Sequence, residues 1–298
     1  MSSASRRSSE HLSAFGLLLL AALALGWGLN WPVMKVVLSE VPPLSFRGFC
    51  LTLGGIGLLG LIRAGGASIA VPAGCWRPLG WLALTNIVGW NVLAVYGVAL
   101  LPSGRAALLG YTMPVWSMLL SARWLGEPLT GRRLAALGLG CAGVALLLVE
   151  SAAGIAAAPL GAALMLGAAW SWAVGVVLMK RLAVPMPAAV LTGWTMFLGG
   201  LPMSLAAILL ESDRWQWPTL WPALGLAYNV VVAFMFCYWA WNRIVLMVPV
   251  AVSSLSALIT PLIGVLGGVV FLGESLGWHE ILAALLILSA VATVSWRR

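Results

Sequence analysis

Two stretches decide the fold: Tyr111-Thr112-Met113-Pro114, followed by Leu125-Gly126-Glu127, and Leu258-Ile259-Thr260-Pro261, followed by Leu272-Gly273-Glu274. Pro114 and Pro261 stand 147 positions apart, and so do Glu127 with Glu274 and Pro102 with Pro249. Upstream, a Trp-rich segment ends in Met34-Lys35 in one place and Met179-Lys180 in the other, offset by 145. A match of Pro, Gly-Glu and Met-Lys in one order marks a duplicated unit. The halves are expected at 1–149 and 159–298, with 150–158 as linker.

What surrounds these landmarks is apolar. The chain of 298 residues is 62% hydrophobic and 8% charged, with a mean hydropathy of +1.05. Soluble domains carry about a quarter charged residues, and a soluble surface this apolar would aggregate, so the bilayer is the expected solvent. A spanning helix needs about 20 apolar residues. Spans are expected near 12–36, 43–62, 78–100, 103–124, 130–149, 159–181, 187–210, 218–242, 248–272 and 277–296. Breakers separate them, among them Pro42-Pro43, Gly65-Gly66, Pro159, Pro185 with Pro187, and Trp217-Pro218. The first span follows a basic N-terminus, but Trp27, Asn30 and Trp31 stand where a cleavage site would need small residues, so it reads as an uncleaved helix.

The expected class is therefore an all-α polytopic membrane protein, with ten transmembrane helices arranged as two five-helix repeats. Five is odd, so the second copy enters the membrane inverted. With the N-terminus inside, inner segments carry Arg6, Arg7, Arg63, Arg77, Arg123, Arg132, Arg133, Lys180, Arg181, Arg243, Arg297 and Arg298. Outer segments carry only Lys35, Arg105 and Arg214. That bias places both termini in the cytoplasm and accounts for the net charge of +8 without nucleic acid. Inverted repeats are the architecture of alternating-access carriers, with the site at their midplane interface.

Trp27-Gly28 with Lys35, Arg47 opening the second span, and the repeated Pro…Leu-Gly-Glu pattern also carry a likeness. The chain resembles the EamA family of the drug/metabolite transporter superfamily over essentially its whole length, and within it the bacterial YddG-type exporters of aromatic amino acids. The resemblance implies a ten-helix exporter of the bacterial inner membrane with a central cavity. It does not name the cargo.

Polar and aromatic groups deep in the spans are the candidates for a site. Trp27, Asn30, Asn86, Trp90, Tyr111, Trp172, Tyr238 and Asn242 are the expected substrate lining. Asn86 with Trp90, and Tyr238 with Asn242, are spaced i, i+4 and should share helix faces. Interhelical packing is the competing reading for each amide. Ser253, Ser256 and Thr260 form a stripe on the ninth span that leans towards packing. Pro114 and Pro261 break the fourth and ninth spans and, with the small residues around them, are read as hinge or pivot. Of the 17 tryptophans, those near span ends fit the interfacial belt. Lys35, Arg47, Arg105 and Lys180 also lie near span ends, where snorkelling explains them; a phosphate-bearing cargo would need cations at the site, and these four are the plausible ones.

No Asp or Glu lies mid-span, so a carboxylate proton relay is not expected. Cys50, Cys75, Cys141 and Cys237 lack metal spacing. There is no Walker sequence, cofactor fingerprint or usable catalytic histidine, so neither enzyme chemistry nor a cofactor is expected. The expected partners are the lipid bilayer and a small-molecule substrate. The leading expectation is export of small neutral amino-acid-like metabolites, aromatic amino acids among them, by alternating access. The alternative is export of another metabolite or drug, with or without proton coupling.

Overall fold

The structure, a computed structural model, describes residues 14–101, 109–148, 159–260, 263 and 278–295, without the side chains of Trp31, Pro32, Lys35, Ala99, Val144, Leu147, Leu148, Ser256, His279, Glu280, Ala283, Ala284, Val291, Val294 or Ser295. Pro102, Arg105, Pro261, Glu274 and the 150–158 linker lie outside the described residues. The described residues are helical and contain no strand.

The helices are α1 (Ala14–Gly28), α2 (Asn30–Leu38), α3 (Pro43–Ala64), α4 (Trp76–Leu82), α5 (Trp90–Leu100), α6 (Met113–Leu125) and α7 (Gly131–Leu148), followed by α8 (Pro159–Leu182), α9 (Ala188–Glu211), α10 (Leu220–Tyr228), α11 (Cys237–Met247), α12 (Val250–Ser256) and α13 (Trp278–Ser295). A π-helical segment, Ala83–Gly89, joins α4 to α5, and a second, Asn229–Phe236, joins α10 to α11. Among the described residues, five continuous rods are long and apolar enough to cross a membrane: Pro43–Ala64, Trp76–Val98, Pro159–Leu182, Ala188–Arg214 and Leu220–Met247. Their exposed leucines, such as Leu18, Leu61, Leu209 and Leu285, would be costly in water and suit contact with lipid.

Helix starts follow local chemistry. Pro43 opens α3 and Pro114 falls in the first turn of α6, where a missing N–H costs nothing. α6 ends at Gly126, whose φ of +68° is the left-handed stop that glycine adopts without strain. Helices α3 and α9 pack tightly. A methyl at Gly55 would meet the Phe197 amide nitrogen at 2.7 Å, so backbones here touch almost directly. Thr52 and Ser204 hydroxyls bond across this seam at 2.9 Å. α7 packs on α13 at the periphery.

Pro114 does not kink a continuous helix. The chain turns at Tyr111–Thr112 and α6 restarts at Met113, which puts the proline just inside a helix start. A matching turn falls at Ala257–Leu258.

Candidate functional site

A cavity of about 100 Å³ lies among α1, α2, α3, α5, the Tyr111 turn, α8, α11 and the chain after α12. Six of the eight expected lining residues meet there: Trp27, Asn30, Trp90, Tyr111, Trp172 and Tyr238. The rings form one cluster. Trp172 packs against Trp27 at 5.8 Å, Trp90 at 5.2 Å, Tyr238 at 5.8 Å and Trp241 at 5.7 Å between centroids. Trp27 stands edge-on to Tyr238 at 5.6 Å. Most of these pairs are edge-to-face, the arrangement that ring quadrupoles favour. Small-molecule sites usually hold roughly 300–1,000 Å³, so the cavity is small for a ligand-sized site.

Hydrogen bonds fix the walls. The Trp27 indole Nε1 donates to the Ala233 carbonyl at 2.9 Å. The Asn91 amide donates to the Tyr238 hydroxyl at 3.2 Å and to the Ile87 carbonyl at 2.9 Å. The Tyr228 hydroxyl donates to the Gly26 carbonyl at 2.7 Å. Asn30 Oδ1 and Thr260 Oγ1 both line the cavity, and both are buried without a hydrogen-bond partner.

Asn86 and Asn242 stand away from the cavity. Asn86 lies in the π segment, where the wider turn breaks the i, i+4 relation to Trp90. Its side chain is buried against Gly175 of α8 instead. Asn242 shares a face with Tyr238 but sits one turn further along α11, where its amide donates to the Thr192 hydroxyl of α9 at 2.8 Å. Ser253 bonds backward to the Pro249 and Val250 carbonyls of its own helix, whereas Thr260 reaches the cavity. Pro114 is buried but is not among the residues lining the cavity, and Pro261 falls outside the described residues.

One lining residue carries a charge. Arg47 is turned into the cavity rather than out to the interface. Its Nη2 donates to the Met34 thioether at 2.6 Å, and its guanidinium lies 4.9 Å from the Phe46 ring centroid and 5.7 Å from that of Phe234. Its position at the start of an apolar run reads as snorkelling. Only the approach of Met34 and Phe234 from other helices reveals otherwise.

The sequence matches the EamA-like transporter family at residues 14–149 and again at 159–296. The chain belongs to that family. It is 30% identical to the uncharacterized transporter YvbV of Bacillus subtilis over 93% of this chain and 90% of the relative. It is 28% identical to a probable amino-acid metabolite efflux pump of Salmonella typhimurium over 89% of each. A solved crystal structure shares the fold at a TM-score of 0.79 and 21% identity, covering 94% of this chain and 97% of the other. This EamA-family chain is thus a multi-pass membrane transporter whose two family units pack around an aromatic cavity.

Proposed function

We propose that the protein exports neutral amino acids, aromatic ones among them, across a bacterial inner membrane by alternating access. The reading takes the chain as ten spans in two inverted halves, 1–149 and 159–298, with 150–158 between them and both termini cytoplasmic.

The observation that carries it is the meeting of equivalent residues at the cavity. Trp27 and Trp172 correspond under the 145 offset and stack edge-on at 5.8 Å. Asn91 and Tyr238 correspond under the 147 offset and share a hydrogen bond. Residues related by a twofold axis touch their own counterparts only near that axis, so a cavity here opens by movement of one half against the other. The aromatic walls suit a ring-bearing or apolar side chain. The name of the Salmonella typhimurium relative points to the same cargo class.

Ties at the helix ends support the same reading. Glu40 meets Thr219, and Glu211 meets Leu44 and Ser45, at one end. Glu127, Arg133, Lys180, Val248 and Val250 gather at the other. The second group carries Arg133 and Lys180 against Arg214 in the first, and is taken as the cytoplasmic end under the positive-inside rule.

The test is transport by purified protein in liposomes, using labelled tryptophan, phenylalanine and alanine with and without a pH gradient. Tryptophan and phenylalanine should equilibrate faster than alanine, and without a proton gradient, because no mid-span carboxylate is available to carry protons. Failure of every amino acid to move would overturn the cargo. Accumulation driven by a pH gradient alone would overturn the facilitator mechanism.

A further inference from the structure

The aromatic walls account for recognition of a ring or an apolar body, but they leave Arg47 without a purpose. A guanidinium taken out of water costs several kcal/mol unless it is paired. The two described ion pairs join Arg133 to Glu127 and Arg214 to Glu211, and neither includes Arg47. Its Nε is buried with no hydrogen-bond partner. Its Nη2 rests on the Met34 sulfur, a weak acceptor, and its faces rest on Phe46 and Phe234. Packing alone would place an apolar residue here at less cost. A rigid fork of donors, held beside a cavity with its best acceptor missing, is half of a charge-assisted pair.

We propose that Arg47 is the anion subsite of the cavity, holding the carboxylate of a cargo whose ring lies against Trp27, Trp172 and Tyr238. This rests on the amino-acid reading above and narrows it. Among the described lining residues Arg47 is the one charged group. A single cation amid apolar walls matches one negative charge, which favours a monocarboxylate over a phosphate ester. A zwitterion's ammonium has acceptors in the same cavity: Asn30 Oδ1 and Thr260 Oγ1, both buried and unpartnered. No carboxylate is needed to meet it. The polar half of an amino acid would thus be met by α2, α3 and the chain after α12, and its side chain by the rings of α1, α8 and α11.

The proposal is tested first on the unaltered protein. Counterflow of labelled phenylalanine is competed with unlabelled phenylalanine, with phenylalaninamide, which lacks the carboxylate, and with 3-phenylpropionate, which lacks the ammonium. Phenylalaninamide should compete about tenfold worse or more than phenylalanine, the loss expected for a charge-assisted bond. 3-Phenylpropionate should compete better than the amide. Arg47→Gln should weaken phenylalanine by a similar factor, while Arg47→Lys, which keeps the charge and loses the fork, should fall between. An amide that competes as well as its parent, or a folded Arg47→Gln protein with unaltered affinity, would overturn the assignment. If Arg47→Gln does not fold, the competitor series decides. If the protein moves no amino acid, the cargo reading fails separately. Melting of the purified wild type and Arg47→Lys proteins with 3-phenylpropionate or its amide then decides the subsite. Stabilisation of the wild type by the carboxylate, and not by the amide, supports it; equal or absent shifts with both overturn it.

Discussion

Trp172 has most of its surface against other rings and is 3% exposed. Truncating such a residue removes packing as well as recognition, at about 3–5 kcal/mol. Trp172→Ala should therefore lower the melting temperature strongly and abolish transport of all cargoes, which makes it a poor probe of selection. Trp27 is the better probe because its ring is only partly buried and its polar contact is a single bond to Ala233. Trp27→Phe keeps a ring and loses that bond, costing about 1 kcal/mol of stability. It should slow tryptophan and phenylalanine more than alanine in the liposome assay. Equal slowing of all three would detach Trp27 from cargo selection. By contrast, Asn242→Ala removes a tie between α11 and α9 and leaves the cavity wall intact. It should lower stability by about 1–2 kcal/mol with the order of cargoes unchanged.

At the scale of elements, the two π segments explain both what the sequence revealed and what it hid. The wider turn leaves carbonyls without their usual partner, and side chains of neighbouring helices supply donors. Trp27 donates to Ala233 in one segment, and Ser171 to Thr85, at 2.8 Å, in the other. The equivalent tryptophans and the breaks near Pro114 were legible because large rings and prolines keep their meaning in any helix register. The face of Asn86 was not, because helical spacing assumes 100° per residue and the π segment adds a residue to the turn. The place of Arg47 in the cavity was hidden for a different reason: beyond its neighbour Phe46, the groups that enclose it come from α2 and the second π segment, and no local pattern announces them. The π segment also sets a tight joint, since a methyl at Gly175 would fall 1.3 Å from Asn86 Oδ1. Gly175→Ala should destabilise by about 1–3 kcal/mol through overpacking. Asn86→Ala in the same chain should recover part of that loss in thermal unfolding. Without any recovery, Asn86 would not be the group obstructed.

At the scale of the whole molecule, three carboxylates among the described residues tie one half to the other, and each does so by capping a distant helix start. Glu211 accepts from the Leu44 and Ser45 amides, at 3.1 and 2.7 Å, and Glu40 from the Thr219 amide at 2.7 Å. Glu127 accepts from the Val250 amide at 3.0 Å. A carboxylate is favoured there by the helix dipole. The bonds from Thr219 hold the Glu40 carboxyl below its ordinary value. Its tie is therefore complete above that ordinary value and is lost only as pH falls through the lowered one, so neutral and mildly acidic assays leave it intact. Under the proposed topology Glu127 is the tie on the cytoplasmic side, where Arg133 holds it at 3.6 Å and Lys180 donates to the adjacent Val248 carbonyl. Losing a charge-assisted cap costs about 1.5–3 kcal/mol, enough to shift a two-state balance about tenfold or more. Glu127→Ala should thus raise the share of molecules open to the cytoplasm. Ala94 lines the cavity, and Cys141 is the exposed thiol among the four cysteines. In a Cys141→Ala background, an Ala94→Cys reporter should react faster with an impermeant maleimide in inside-out vesicles once Glu127 is lost. Faster reaction only in right-side-out vesicles would reverse the sidedness of the tie. An unchanged rate in both would show that Glu127 caps α12 without restraining the motion.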